Sequence, residues 1–176
     1  DPFVEYFNRP GALWVLAFVV AYKVGDQMAA AMTTPFYLDI GFTKSEIGAV
    51  VKIFGFWATI AGAGLGGAVM LRLKIHRSLL VFGLLQAVST AGFALLSIIG
   101  PSVGALAGVI AFENLSAGMG TAAYMGFMAS LTDKRFTATQ YALLTSFMGF
   151  SRDVITSPTG LMAKSFGWLG FFVFCT

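Results

Sequence analysis

The chain has 176 residues, of which 57% are hydrophobic and only 11% charged, with a net charge of +3. Soluble domains carry about 25% charged residues, so this composition excludes a water-soluble globule and points to a protein whose solvent is the bilayer. So few ionisable groups give no nucleic-acid-binding face, and the single cysteine, Cys175, can build neither a disulfide framework nor a metal cluster. No cofactor and no metal are expected.

Taken in chain order, residues 1–10 hold two prolines, Glu5 and Arg9, and read as a cytoplasmic linker entering from an N-terminal half that lies upstream. A transmembrane bundle is predicted over 11–176. Apolar stretches run from Gly11 to Leu38, Ile47 to Leu71, Ser78 to Ile99, Val103 to Leu131 and Tyr141 to Ala163, and a sixth begins at Trp168 and is cut off at Thr176. The five complete stretches are each long enough, at roughly 20 residues or more, to cross a hydrocarbon core. Backbone polar groups in lipid must be satisfied internally, so the stretches are read as helices and the fold class as an all-α membrane protein.

The basic residues set an orientation. Arg9, Arg72, Lys74, Arg77, Lys134 and Arg135 flank one side, Lys44 and Lys164 the other, and Lys23, Lys52 and Arg152 fall within the stretches. The positive-inside rule makes the richer side cytoplasmic, so the first helix runs outward. Lys52 lies two turns into the second stretch and is read as snorkelling to the interface.

An internal repeat is legible. The second stretch opens with Phe42-Thr43-Lys44-Ser45-Glu46 and the fifth with Phe136-Thr137-Ala138-Thr139-Gln140, 94 residues later, both in the Thr-x-x-Glu/Gln pattern of a helix capping box. Ala21-Tyr22-Lys23 in the first stretch corresponds likewise to Ala111-Phe112-Glu113 in the fourth. The pattern predicts a six-helix half bundle of two three-helix units, the second inverted in the membrane. Small residues at helical spacing, Ala58, Gly62 and Gly66 in the second stretch and Gly118, Ala122, Gly126 and Ser130 in the fourth, fit close helix packing. Pro35 and Pro158 are expected to kink or locally unwind the first and fifth helices.

Five ionisable residues lie deep inside the stretches: Lys23, Asp26, Glu113, Arg152 and Asp153. At roughly 2.5 to 3.5 kcal/mol each on insertion scales, they are too costly to face lipid and must face a cavity or one another. Lys23 and Asp26, three apart, can pair within one helix. Arg152 and Asp153 diverge by about 100° and are expected to need separate partners, with Glu113 the natural partner of Lys23 or Arg152. Asn114, Gln86 and Ser116 add hydrogen-bonding groups at similar depth. Two readings follow: ion pairs that lock helices together, or a polar site with a carboxylate that carries a coupling proton.

Tyr22-Lys23-Val24-Gly25-Asp26, Phe112-Glu113-Asn114-Leu115 with Gly118-Met119-Gly120-Thr121-Ala122, and Phe136-Thr137-Ala138-Thr139-Gln140 with Ala142-Leu143-Leu144 together resemble the AmpG family of muropeptide permeases in the major facilitator superfamily. The resemblance covers nearly the whole chain and implies its C-terminal half. It implies a bacterial inner-membrane protein that imports anhydro-muropeptides from the periplasm for cell-wall recycling, driven by protons. It implies Lys23, Asp26, Glu113, Asn114 and Arg152 as cavity residues; Gln86 joins the candidate pathway by its depth alone. It does not extend to Asp153 or to Ser157 before Pro158, and Leu71 stands where the superfamily's loop signature is usually acidic.

Two alternatives compete. A related acetyl-CoA carrier would bring several phosphates, for which Lys23 and Arg152 are few cations. A membrane-embedded transferase would need a nucleophile or base, yet the one histidine, His76, has Val81 rather than an aspartate five residues on and is expected in a solvated loop.

Overall fold

In the computed structural model the described residues are 12–131 and 137–176, and the side chains at 12, 137–140 and 143 stand outside that description. Their regular structure is helical: α1 Ala12–Asp39, α2 Lys44–Val50, a π-helical turn Val51–Gly55, α3 Phe56–Met70, α4 Ile75–Ile99, α5 Val103–Leu131, α6 Thr137–Thr156 and α7 Thr159–Cys175. Four spans, Leu13–Asp39, Lys44–Met70, Ile75–Ile99 and Val103–Leu131, are long and apolar enough to cross a membrane. They match the first four apolar stretches. The turn after α1 depends on Gly41, whose φ of +106° suits a residue without Cβ and lets the Phe42 amide return to the Tyr37 carbonyl at 3.0 Å.

Thr43 closes a complete capping box at the start of α2: the Glu46 amide donates to Thr43 Oγ1 at 3.3 Å and the Thr43 amide to Glu46 Oε2 at 2.9 Å. Of its proposed repeat at 136–140, Phe136 and the side chains at 137–140 lie outside the described residues, as do Arg9, Lys134 and Arg135. Arg72, Lys74 and Arg77 sit where α4 begins, beside the start of α1 and the end of α5. Lys44 lies at the opposite end.

The last two stretches differ from expectation. Tyr141 to Ala163 is not one span, because α6 stops at Thr156 and α7 starts at Thr159. Pro158 has no amide hydrogen to continue the ladder, and the Thr159 hydroxyl caps the break by donating to the Thr156 carbonyl at 2.6 Å. Gly167, at φ 69° and ψ 170°, then bends α7, and Trp168 to Cys175 runs back beside α1 and α4. Trp168 Nε1 donates to Asp39 Oδ2 at 2.5 Å at one end of this return, and Cys175 lies against Gly25 at the other. Pro35, by contrast, leaves α1 continuous, close to its C-terminus. His76 belongs to the first turn of α4 rather than to a loop.

Two apolar clusters fill the bundle. One, around Phe36, Phe93, Leu96 and Phe172, occupies the end where α1 finishes; the other, around Val19, Phe82, Tyr124 and Met128, occupies the end where it starts. The deep polar residues lie between them.

The tightest pairing is α3 with α5. A Cβ on Gly62 would stand 2.2 Å from the Leu115 carbonyl oxygen, one on Gly66 2.8 Å from Met119 Cα, and one on Gly118 2.6 Å from the Thr59 carbonyl oxygen. The small-residue rows therefore let the two backbones touch, which in lipid is a main source of helix association. Because backbone cannot move aside as a flexible side chain can, Gly118→Val is expected to cost about 1–3 kcal/mol, read as a lower melting temperature of the purified protein. Gly108→Ala, where no atom lies within 4 Å of the added carbon, should leave it unchanged or raise it.

Candidate functional site

The site is built on the middle of α1. Lys23 and Asp26 are one helical turn apart, and Lys23 Nζ donates to Asp26 Oδ2 at 2.9 Å, with the lysine side chain 8% and the aspartate 20% exposed. This pair forms within the helix as the spacing predicts. Glu113 of α5 lies near this pair, in the field of both Asp26 and Lys23. Two carboxylates thus stand near one ammonium, and one of them pairs with it.

The direct partner of Glu113 is neither Lys23 nor Arg152. Ser89 Oγ of α4 donates to Glu113 Oε2 at 2.6 Å. Sequence reasoning passed over Ser89, although Gln86, Ser89 and Thr90 recur at i, i+3 and i+4 on one face of an otherwise apolar helix, and all three are buried. Two tyrosines complete the surround: Tyr124 Oη donates to the Val19 carbonyl at 2.8 Å, Tyr22 Oη to the Leu79 carbonyl at 3.1 Å, and their rings stack at 5.6 Å. These bonds pin α1 to α4 and α5 next to the charges.

A cleft of about 500 Å³ opens between α1, α5 and α6, and Lys23, Asp26, Gln27, Thr121, Thr145 and Arg152 supply its polar lining. A smaller chamber of about 160 Å³ lies on the other side of α1, lined by Tyr22, Asp26, Gln86 and Thr90 among others. Asp26 borders both. Gln86 lies so close to Gly120 that a Cβ there would sit 2.2 Å from Gln86 Oε1, and its Nε2 has no hydrogen-bond partner among the described residues.

Four expected residues are placed differently. Arg152 and Asp153 do not take separate partners: Arg152 Nε pairs with Asp153 Oδ1 at 3.1 Å, with side chains 57% and 71% exposed. Their Cα–Cβ directions diverge, but the long arginine side chain folds back far enough for its Nε to meet the next carboxylate. So exposed a pair adds little stability. Arg152 still borders the cleft, whereas Asp153 lines neither cavity. Asn114 lies in the α3–α5 seam, where its Oδ1 accepts from Thr59 Oγ1 at 3.0 Å and its Nδ2 donates to the Ile110 carbonyl at 2.8 Å. Ser116 is spent on the Phe112 carbonyl at 2.8 Å.

A bundle of membrane-length helices that keeps an ammonium and two carboxylates at mid-depth beside a polar cleft has the makings of a solute transport protein. The chain belongs to the Major Facilitator Superfamily, whose family model matches residues 1–156. It is 40% identical over 174 residues to the anhydromuropeptide permease of Escherichia coli (strain K12), covering 98% of this chain and 35% of that protein. It is 37% identical over 174 residues to the protein designated AmpG 4 of Rickettsia conorii (strain ATCC VR-613 / Malish 7), covering 99% of this chain and 42% of that one. AmpG 1 of Rickettsia prowazekii (strain Madrid E) is 39% identical over 162 residues, covering 92% and 37%. The chain spans well under half the length of these relatives. The resemblance read from the motifs is borne out, and membership of a transporter family sets the transferase reading aside.

Because Glu113 remains to balance Lys23, Asp26→Asn alone is expected to cost less than the roughly 3–5 kcal/mol of an orphaned buried charge. Adding Glu113→Gln should bring out that full penalty, so the double variant loses more than the sum of the singles. A double-mutant cycle on unfolding of the purified protein reads this; strictly additive losses would mean the two carboxylates do not share Lys23.

Proposed function

We propose that this chain is part of a proton-coupled transporter that brings anhydro-muropeptides across the bacterial inner membrane into the cytoplasm. The observation that carries the reading is the shared ion site: Lys23, Asp26 and Glu113 together at mid-depth, with Asp26 on the wall of the polar cleft. The printed name of the Escherichia coli relative supports the solute class. In this reading the cleft between α1, α5 and α6 receives the solute, Arg152 meets its carboxylates at the rim and the threonines its hydroxyls. A proton taken up by the Asp26–Glu113 pair weakens the hold on Lys23 and frees its ammonium for the anionic solute, which links the two cargoes. Gln86 lies on the chamber side of Asp26, while Asn114 and Asp153 serve packing and the rim.

The same reading makes residues 11–176 the C-terminal half, two three-helix units of opposite orientation, preceded by a cytoplasmic linker at 1–10 and completed by an N-terminal half. The placement of Lys23 and Glu113 close together, at corresponding positions of the first and fourth spans, α1 and α5, supports it. Acetyl-CoA remains the second solute to try, with the scarcity of cations in the cleft against it.

The test is uptake of a labelled N-acetylglucosaminyl-anhydromuramyl peptide by the full-length protein in proteoliposomes, with and without an imposed proton gradient. Accumulation should require the gradient, and Glu113→Gln should abolish accumulation while leaving downhill exchange measurable. Uptake indifferent to the gradient would refute proton coupling, and folded protein without any uptake would turn attention to acetyl-CoA and other anions.

A further inference from the structure

A second concavity lies apart from the cleft, on the outer surface where the starts of α1 and α4 meet the end of α5. It is a groove of about 400 Å³, walled by Trp14, Phe18, His76, Leu79, Leu80 and Phe127, with Tyr22 at its inner end. Its surface is almost wholly apolar and in part aromatic. Phe18 meets Phe127 edge-on at 5.4 Å and Tyr22 at 5.6 Å, and His76 meets Phe127 edge-on at 6.1 Å. Trp14 and Leu80 stand 82% and 70% exposed on its two lips, so the groove opens sideways from the bundle rather than into it.

The mouth differs from the walls. His76 stands in the first turn of α4, and Arg72, Lys74 and Arg77 flank it within six residues, all of them exposed. None of these four makes an ion pair among the described residues, and the described carboxylates lie at mid-depth, as Asp26 and Glu113 do, or toward the far end of the bundle, as Asp39 and Glu46 do. A slot of apolar and aromatic side chains running inward from a basic rim that no described carboxylate neutralises, on the exposed exterior of the bundle, matches a molecule with an anionic head and a hydrocarbon tail.

We propose that this groove is a binding site for an anionic phospholipid, with one acyl chain lying between Trp14, Leu80 and Phe127 and the phosphate held by Arg77 and its basic neighbours with the His76 ring beside it. The acyl chain gains contact with a surface that would otherwise pack only loosely, and the head neutralises a cluster with no carboxylate of its own among the described residues. Such a lipid bridges α1 to α4, the helices that carry Lys23, Asp26 and Ser89, without entering the cleft.

The full-length protein, reconstituted in phosphatidylcholine vesicles with a trace of nitroxide-labelled phosphatidylglycerol or phosphatidylcholine of identical chains, reports the site through the motionally restricted fraction of each label. Phosphatidylglycerol should be restricted in preference, and Arg72→Gln with Arg77→Gln should weaken it about fivefold for each charge removed while leaving phosphatidylcholine unchanged. Leu80→Trp, at an exposed lip, should occupy the groove and reduce restriction of phosphatidylglycerol with the charges intact; circular dichroism verifies folding of each variant. Equal restriction of the two lipids by the unaltered protein would overturn the proposal, as would a preference surviving either variant. Displacement of the label's preference by inorganic phosphate at matched ionic strength would also overturn it, since that marks a simple anion site.

Discussion

Lys23 stands at the centre of a membrane-length helix with its side chain almost wholly enclosed, and much of the surrounding architecture is what an ammonium in that position requires. Hydrocarbon offers it no partner, so Asp26 is placed one turn along the same helix and Glu113 is brought in from α5. Glu113 needs a donor of its own, which Ser89 supplies from α4. Three helices are thereby held in register by a few polar atoms. Apolar clusters pack the bundle above and below that layer, and the two tyrosines bonded to backbone carbonyls tie α1 to its neighbours.

The arrangement is unbalanced in a way a purely structural ion pair need not be. One ammonium stands near two carboxylates and pairs with Asp26 alone, and Asp26 borders open space on both sides of its helix. A locking pair would be more stable as two matched charges, or as none, because desolvation penalises every excess ion. An excess carboxylate beside a cleft is tolerable when a mobile cation can neutralise it, which is the physical content of a coupled site. The close glycine seam between α3 and α5 provides the complementary property, a rigid pair of helices against which α1 and its charges can be referenced.

Much of this was legible in the sequence because lipid makes the rules severe. Four apolar stretches of that length could only be helices. The three-residue spacing of Lys23 and Asp26 left the pair one natural geometry, and the Thr43 to Glu46 box formed as the pattern required. The distal part was harder to read: Pro158 announced the break there, but hydropathy is nearly blind to it and to a bend such as Gly167, both of which lie inside apolar runs. Partner choice was harder still. Ser89 is a small neutral residue that attracts no notice beside charged ones, and Asn114 looked like a cavity residue because depth along a helix says nothing about which neighbour it faces. The pairing of Arg152 with Asp153 depends on the reach of a flexible side chain rather than on backbone direction.

The π-helical turn at Val51–Gly55 bears on how such a bundle could accommodate change. One added residue per turn rotates everything before it by about a quarter of a circle relative to everything after it. The capped start of α2 is therefore decoupled in azimuth from the glycine face of α3, with Thr59 bonded to the Gly55 carbonyl at 2.8 Å and to Asn114 just past the joint. A single-residue deletion within 51–55 would convert this turn to ordinary helix, leave the seam with α5 untouched, and swing the capping box and Lys52 onto a different meridian of the protein. The joint thus gives evolution, or a designer, one dial that turns the entrance of the second span without disturbing the helix pair beneath it.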